Sequence, residues 1–320
     1  MYFPFQTPIR TIMLGDEVIG DNSIDIERAF SIGATMGGAY KNTADIEIDV
    51  ELASDLALNI TDGDDNLLEI LPPSYYNATF DKITIPAGSF IGKMRVDLTD
   101  AFFADPLTTG LHYVIPVKMT AVKRADSILQ GFPAGGVVNP DRRVSSDWLS
   151  GQEPKDYVLF GVKYINPTHG AYLYRGRSVN ITDPTAPKDT ISYSTRFLDD
   201  NIGIKLSTAS LTQSKTDKVA GGGRYEERRG EQYSMVLTFD EANNDVTVRS
   251  FDGTTDIISG TGIYYSKADQ RAESYNGKRH RTIYLDYTFE DRGQSYQVND
   301  SLVFLDTDIK FEKFSVKVTQ

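Results

Sequence analysis

Asp45-Ile46-Glu47-Ile48-Asp49-Val50-Glu51-Leu52 alternates acid and aliphatic residues without a fault. Side chains of a strand point to opposite faces in turn, so Ile46, Ile48, Val50 and Leu52 share a buried face while the acids line a wet one. The same period of two recurs outward from this stretch and predicts further strands at Lys82–Ile85, Ile91–Leu98 and Tyr113–Val122. In the second half it predicts Tyr157–Ile165, Ala171–Val179, Thr190–Phe197, Ile202–Leu206, Tyr233–Phe239, Asp245–Phe251, Gly260–Tyr265, Thr282–Phe289, Ser301–Phe304 and Lys310–Val318. β-Branched and aromatic residues fill these runs, and Gly, Asn, Asp and Pro fill the gaps.

Helix is scarce. Glu51–Ile60 and Asp64–Leu71 are read as short helical turns, the second stopped by Pro72 and Pro73, which lack the donor a helix interior needs. The stretch 126–154 is broken by Gly and Pro and hardly alternates, so it reads as a linker between a domain at 1–125 and another at 155–320. Trp148, near that boundary, is expected to pack the two domains together. The strands after 155 recur at the spacing of a sandwich or an up-and-down barrel.

With 320 residues, 40% hydrophobic and 24% charged, the chain can bury two cores without disulfides or metals. The formal net charge of -12 argues against nucleic acid and against nonspecific attraction to anionic membrane surfaces. Residues 1–150 hold 21 acids against 11 bases, so most of the excess lies in the first half. Cysteine is absent, which excludes disulfides, thiolate metal sites and cysteine nucleophiles. No apolar run approaches the ~18 residues of a membrane-spanning helix, and the start lacks the marks of a signal peptide.

Three pieces, in order, carry a resemblance: Leu71-Pro-Pro-Ser-Tyr-Tyr76, Ile83-Thr-Ile-Pro-Ala-Gly-Ser89 and Leu111-His-Tyr-Val-Ile-Pro-Val117. They resemble the N-terminal domain of unknown function found in surface lipoproteins of Bacteroides-type polysaccharide-utilisation systems. Tyr2-Phe-Pro-Phe-Gln-Thr-Pro-Ile-Arg-Thr11 and the 33–40 segment match a subset of these, in which a C-terminal lipocalin-like β-barrel follows. Arg281-Thr-Ile-Tyr-Leu-Asp-Tyr-Thr-Phe289 is similar to that barrel. The resemblance implies an all-β chain: an N-terminal immunoglobulin-like β-sandwich, then an antiparallel lipocalin-like β-barrel. It further implies export to the cell envelope as an outer-membrane lipoprotein, held by a lipidated cysteine upstream of the present start. Met1 would then be an added residue on the mature form. The family carries no catalytic motif, so no catalytic residue is transferred, and no cofactor is implied.

The chemistry-bearing residues read modestly. His112, His169 and His280 share no ligand spacing and are taken as strand-end or surface histidines. Thr61-Asp-Gly-Asp-Asp-Asn66 lacks the spacing and closing Glu of a calcium loop and reads as a solvated turn. Gly221-Gly-Gly-Arg-Tyr-Glu-Glu-Arg-Arg-Gly230 lacks the Gly-Lys-Ser/Thr ending of a phosphate loop and reads as a flexible hairpin connection. The sequons at Asn59, Asn77 and Asn180 matter only in a eukaryotic secretory pathway. The 45 acids single out no pair suited to glycoside hydrolysis, so the chain is read as no enzyme.

Aromatics carry the remaining signal: 18 Tyr, 16 Phe and one Trp. Sugar faces stack on flat rings beside polar groups. Tyr172, Tyr174, Arg175 and Arg177 share one strand, and Tyr264, Tyr265, Tyr275 and Arg279 lie near another strand end. In a lipocalin-like barrel these eight are expected at the mouth, as ligand-binding residues. The resulting expectation is a noncatalytic envelope protein assisting glycan capture. Its alternatives are a structural or protein-interaction component docking an envelope partner, a glycan-processing enzyme, or a barrel with an apolar cavity for a hydrophobic ligand.

Overall fold

The computed structural model describes residues 1–16, 20–183, 185, 189–217, 219–222, 233–251 and 257–319. The chain divides into two compact units, one of residues 1–14, 20–164 and 310–320, the other of 15–19 and 165–309.

The first unit contains β1 (Pro8–Met13), β2 (Ala29–Thr35), β3 (Ile46–Leu52), β4 (Lys82–Ile85), β5 (Ile91–Leu98), β6 (Tyr113–Lys123) and β7 (Tyr157–Ile165). One sheet runs Glu312–Lys313, β1, β7, β6, β3, β4, and the second runs β2, β5, Tyr76–Asn77. Across the two sheets Phe30 of β2 stacks on Phe160 of β7, centroids 5.3 Å apart at 9°. The β3 alternation is realised: Ile46, Ile48 and Val50 are buried, and Leu52 is half-buried. The acids of β3 meet lysines of the neighbouring strands, Glu47 with Lys82 at 3.1 Å and Lys123 at 3.6 Å, and Glu51 with Lys118 at 3.8 Å. Like charge along the wet face is thereby answered by cross-strand partners.

The helical turn expected within Glu51–Ile60 is present, as a 3-10 turn at Ser54–Ala57. The second is corrected. Asp64–Leu71 forms no helix: Glu69–Ile70 runs parallel to β6, and Leu71 donates its backbone N–H to Val114 at 2.9 Å. Sheet pairing won because β6 offered an unpaired edge to satisfy those backbone groups.

The stretch 126–154 is no free linker. Leu129 N–H donates to the Met1 carbonyl, Phe132 and Gln152 pair, and Lys155 N–H donates back to Leu129, all within the first unit. Asp156, fully buried, holds Arg142 in a bidentate pair at 3.0–3.1 Å. Trp148 donates Nε1–H to the Asp141 carbonyl at 2.8 Å, a partner within the first unit. Glycine and proline suppressed alternation there, but the backbone donors still found partners. Strand β7 pairs with β6, and Phe314 joins the core of Ala53, Leu56, Leu68 and Leu159. The chain therefore leaves the first unit after 164 and returns to it at 310, against the expected division at 155.

The second unit is a closed antiparallel barrel of eight strands. They are β8 (Gly170–Asn180), β9 (Ile202–Thr208), β10 (Gln213–Thr216), β11 (Met235–Phe239), β12 (Asp245–Ser250), β13 (Ile258–Tyr265), β14 (Thr282–Asp291) and β15 (Gln294–Asp306). Each pairs with the next, and β15 closes on β8 from Ala171–Asp306 to Asn180–Tyr296. Thr190–Tyr193 extends the β9 side of β8. The up-and-down barrel that the resemblance implied is what the pairing shows. β10 escaped sequence reading because Gln213-Ser-Lys-Thr216 carries no apolar residue; Ser214 and Thr216 are nevertheless its buried positions.

Candidate functional site

The barrel interior is filled. Tyr172, Tyr174, Ile204, Leu206, Met235, Leu237, Val246, Val248, Leu285 and Phe289 belong to one buried cluster. Among the described residues such an interior is packed with side chains, as in small barrels. At one end the turn Val219–Gly222 inserts into the barrel. Gly221 and Gly222 have φ of +61° and +79°, and a Cβ on them would stand 2.2 Å from the Phe289 ring and 2.5 Å from the Tyr193 ring. Only glycine fits both the backbone and the space. The phosphate-loop segment is therefore, where described, a buried plug rather than a flexible connection; residues 223–230 lie outside the described residues.

Next to the plug Asp300 is fully enclosed and takes phenol hydrogen bonds from Tyr287 at 2.7 Å, from Tyr174 at 2.9 Å and from Tyr193. Burial pushes its carboxyl up to about 7, against the three phenols that lower it. Burial also raises all three tyrosines well above the usual phenol range. Gly221 N–H donates to Tyr287 Oη at 2.8 Å, which ties the plug to the same network.

The opposite end is closed by Arg281, itself buried. Its Nε donates to Tyr172 Oη at 2.9 Å, Nη2 donates to the His169 carbonyl at 2.7 Å, and the guanidinium lies 3.8 Å from the Phe304 ring centroid. Beside it opens an end cleft of about 150 Å³, lined by Pro167, Leu211, Thr212, Phe239, Asp240 and Tyr264 among others. Phe239 and Tyr264 meet edge to face, centroids 6.1 Å apart at 87°. Asp240, Glu241 and Asn244 come from the single turn joining β11 to β12, so both carboxylates stand on one wall.

A second depression, of about 360 Å³, lies on the barrel wall. It is lined by Arg175, Arg177, Thr195, Glu273, Tyr284 and Asn299 among others. Arg175 pairs with Glu273, and Tyr284 donates to Glu273 Oε1 at 3.0 Å. Burial together with Glu273 raises the Tyr284 phenol to about 12.

The eight sequence candidates thus do not form one mouth. Tyr172 and Tyr174 are corrected outright: both are 0% exposed and point into the core, because the even positions of β8 face inward. Arg175 and Arg177 occupy the wall groove, and Tyr264 lines the end cleft. Tyr265 lies against Tyr284, centroids 5.9 Å apart, with the Arg271 guanidinium 4.3 Å from its ring centroid. Tyr275 stacks on His280 at 4.1 Å and donates to the Phe304 carbonyl, while Arg279 stands exposed on the Ser274–Arg279 hairpin. Sequence reading missed Phe239, Asp240, Asn244, Tyr284 and Asn299. The signal available for the first three was a turn rich in acids and amides directly after an aromatic strand end.

The histidines lie apart in the fold: His112 is 3.9 Å from Glu69, His169 bonds Thr208 at 3.1 Å, and His280 packs on Tyr275. Among the described residues no group of three His, Asp or Glu is placed to hold a metal ion. In the 61–66 loop the Asp62 carboxylate accepts the backbone N–H groups of Asp64 and Asn66, both at 2.9 Å.

Residues 1–126 match a family model described as an N-terminal domain, and residues 167–308 match DUF5627, a domain of unknown function. A solved protein of unknown function from Bacteroides ovatus is 33% identical, with 99% of this chain and 98% of that chain covered and a TM-score of 0.85. The chain belongs to the family of that protein. The DUF5627 match of this family member falls inside the barrel unit. Two other Bacteroides structures are more remote. One is a second B. ovatus protein of unknown function at 14% identity, covering 97% of this chain and 95% of that one, with a TM-score of 0.46. The other is a Bacteroides thetaiotaomicron protein described as an auxiliary nutrient binding protein, at 14% identity, 88% and 85% coverage and a TM-score of 0.40. No curated protein matches the chain.

Proposed function

We propose that this family member is a noncatalytic cell-envelope protein that captures a glycan, with the barrel as the binding module and the first unit as spacer or docking module. The observation that carries this reading is the end cleft. Its Phe239–Tyr264 pair supplies an apolar aromatic floor, and Asp240, Glu241, Asn244 and Thr212 supply hydrogen-bonding groups around it. Rings for the apolar face of a sugar and amides or carboxylates for its hydroxyls are what such a ligand requires. Glycosidase carboxylates flank the scissile bond from two sides, whereas here both come from one turn, which favours binding over hydrolysis. The envelope location and the lipid anchor rest on the resemblance in the first domain and on the Bacteroides family.

Calorimetric titration of the whole chain with plant, host and microbial polysaccharides tests this. Saturable binding, weakened about tenfold by Tyr264→Ala, supports it. A folded protein that binds none of the panel sinks it and leaves the protein-interaction reading, which the filled barrel interior and the acidic first half support.

A further inference from the structure

The barrel register lays out the outer wall as a grid. Arg175 stands opposite Ser301, Ser301 opposite Tyr284, and Tyr284 opposite Ile263. One row along, Arg177 stands opposite Asn299, Asn299 opposite Asp286, and Asp286 opposite Thr261. Directly opposed side chains on one face are near neighbours, so each row is a contiguous strip.

The charges on this grid are answered at every point but one. Arg175 is held by Glu273, which reaches in from outside the grid and also takes the Tyr284 hydroxyl. Asp286 accepts from the Gln297 amide. Arg177 is exposed and, among the described residues, makes no ion pair and no side-chain hydrogen bond. Asp286 is two strands away, roughly 9.5 Å by the strand spacing, too far to pair with it. The Asn299 amide between them is likewise uncommitted among the described residues, and Ser194, Thr195 and Ser301 line the same depression, the Thr195 hydroxyl donating to the Phe197 carbonyl and the Ser301 hydroxyl accepting from Arg175 Nε.

From this we infer that the wall groove is a second binding site, and that it takes a carboxylate carried on a hydroxylated ligand, an acidic sugar. The planar fork of Arg177 matches a carboxylate with two parallel N–H···O bonds. Asn299 and the hydroxyls suit the neighbouring sugar hydroxyls. The Arg175–Glu273 pair and Tyr284 form a neutral, prearranged floor that adds no competing charge. The inference rests on the glycan-capture reading for the ligand's sugar character, but it uses a different site and a different residue set from the end cleft.

The test is calorimetry on the full chain at low salt with tetragalacturonic acid, its fully methyl-esterified counterpart, and hyaluronan and alginate tetrasaccharides. At least one acidic probe is expected to bind, with the esterified form about tenfold weaker than the free tetragalacturonic acid if that is the binder. Arg177→Gln is expected to weaken the acidic probe by about tenfold or more, with Arg177→Lys in between. Tyr264→Ala should leave that affinity within about twofold, because additivity holds for sites without shared partners. Arg177→Gln binding as tightly as wild type, equal binding of acid and ester, or failure of all acidic probes on folded protein overturns the proposal. Neutral polysaccharides failing while an acidic probe binds through Arg177 removes the end-cleft reading alone.

Discussion

Tyr174 Oη lies 2.9 Å from Asp300 Oδ2 and 2.8 Å from the Val219 carbonyl oxygen, so one phenol proton faces two acceptors. Burial holds the carboxyl near 7 against the three phenols that donate to it.

The sign of the resulting pH dependence follows from linkage. The folded value is about 7, against about 3.9 in the unfolded chain. Between those values the native state keeps a proton that the unfolded state has lost, so stability falls as pH rises from 4 towards 7 and levels off above it. Asp300→Asn should flatten that slope. Urea denaturation across this pH range, wild type against variant, reads it; parallel curves would show that Asp300 does not carry the proton.

Gly222→Ala places a methyl group against the Tyr193 ring at a φ of +79°. Overpacking and backbone strain add, and a loss of roughly 2–4 kcal/mol is expected from urea midpoints. An unchanged midpoint would mean that the plug is not seated in the barrel.

Arg281→Met keeps the length of the side chain and removes the donors to Tyr172 and His169. Loss of these two charge-assisted hydrogen bonds is expected to cost about 2–3 kcal/mol in unfolding free energy. Stability equal to wild type would indicate that Arg281 caps nothing.

The unit boundary makes a prediction about fragments. A piece spanning 155–320 carries β7 without β6, and Phe314 without its core, so it exposes an unpaired strand and should aggregate or give broad amide spectra. A piece spanning 165–309 lacks both and should give the better-dispersed spectrum. The reverse ranking in NMR of the two fragments would refute the boundary drawn from the fold.

How much of this was legible in the residues depends on how local the signal is. Asp45–Leu52 announced its strand because its two faces differ in chemistry, and most of the barrel strands were readable for the same reason. In β8 that signal fails: Tyr172, Leu173 and Tyr174 are all buried, so alternation cannot say which face is the interior. The tyrosines consequently read as a mouth when they are core, and Arg175 and Arg177, read together with them, lie on the wall groove instead.

By itself, then, the sequence determined an all-β chain, a succession of strands at the spacing of a sandwich or a barrel, a disulfide-free stability and an acidic first half. Each follows from composition or from a period of two, which neighbouring residues carry between them. Only the tertiary structure decided that 126–164 and 310–320 belong to the first unit, that Asp300 gathers Tyr174, Tyr193 and Tyr287, and that Arg177 and Asn299 share a groove. Those relationships join residues from 13 to more than a hundred positions apart, and only strand pairing around a closed barrel, or the return of the chain terminus, brings them together.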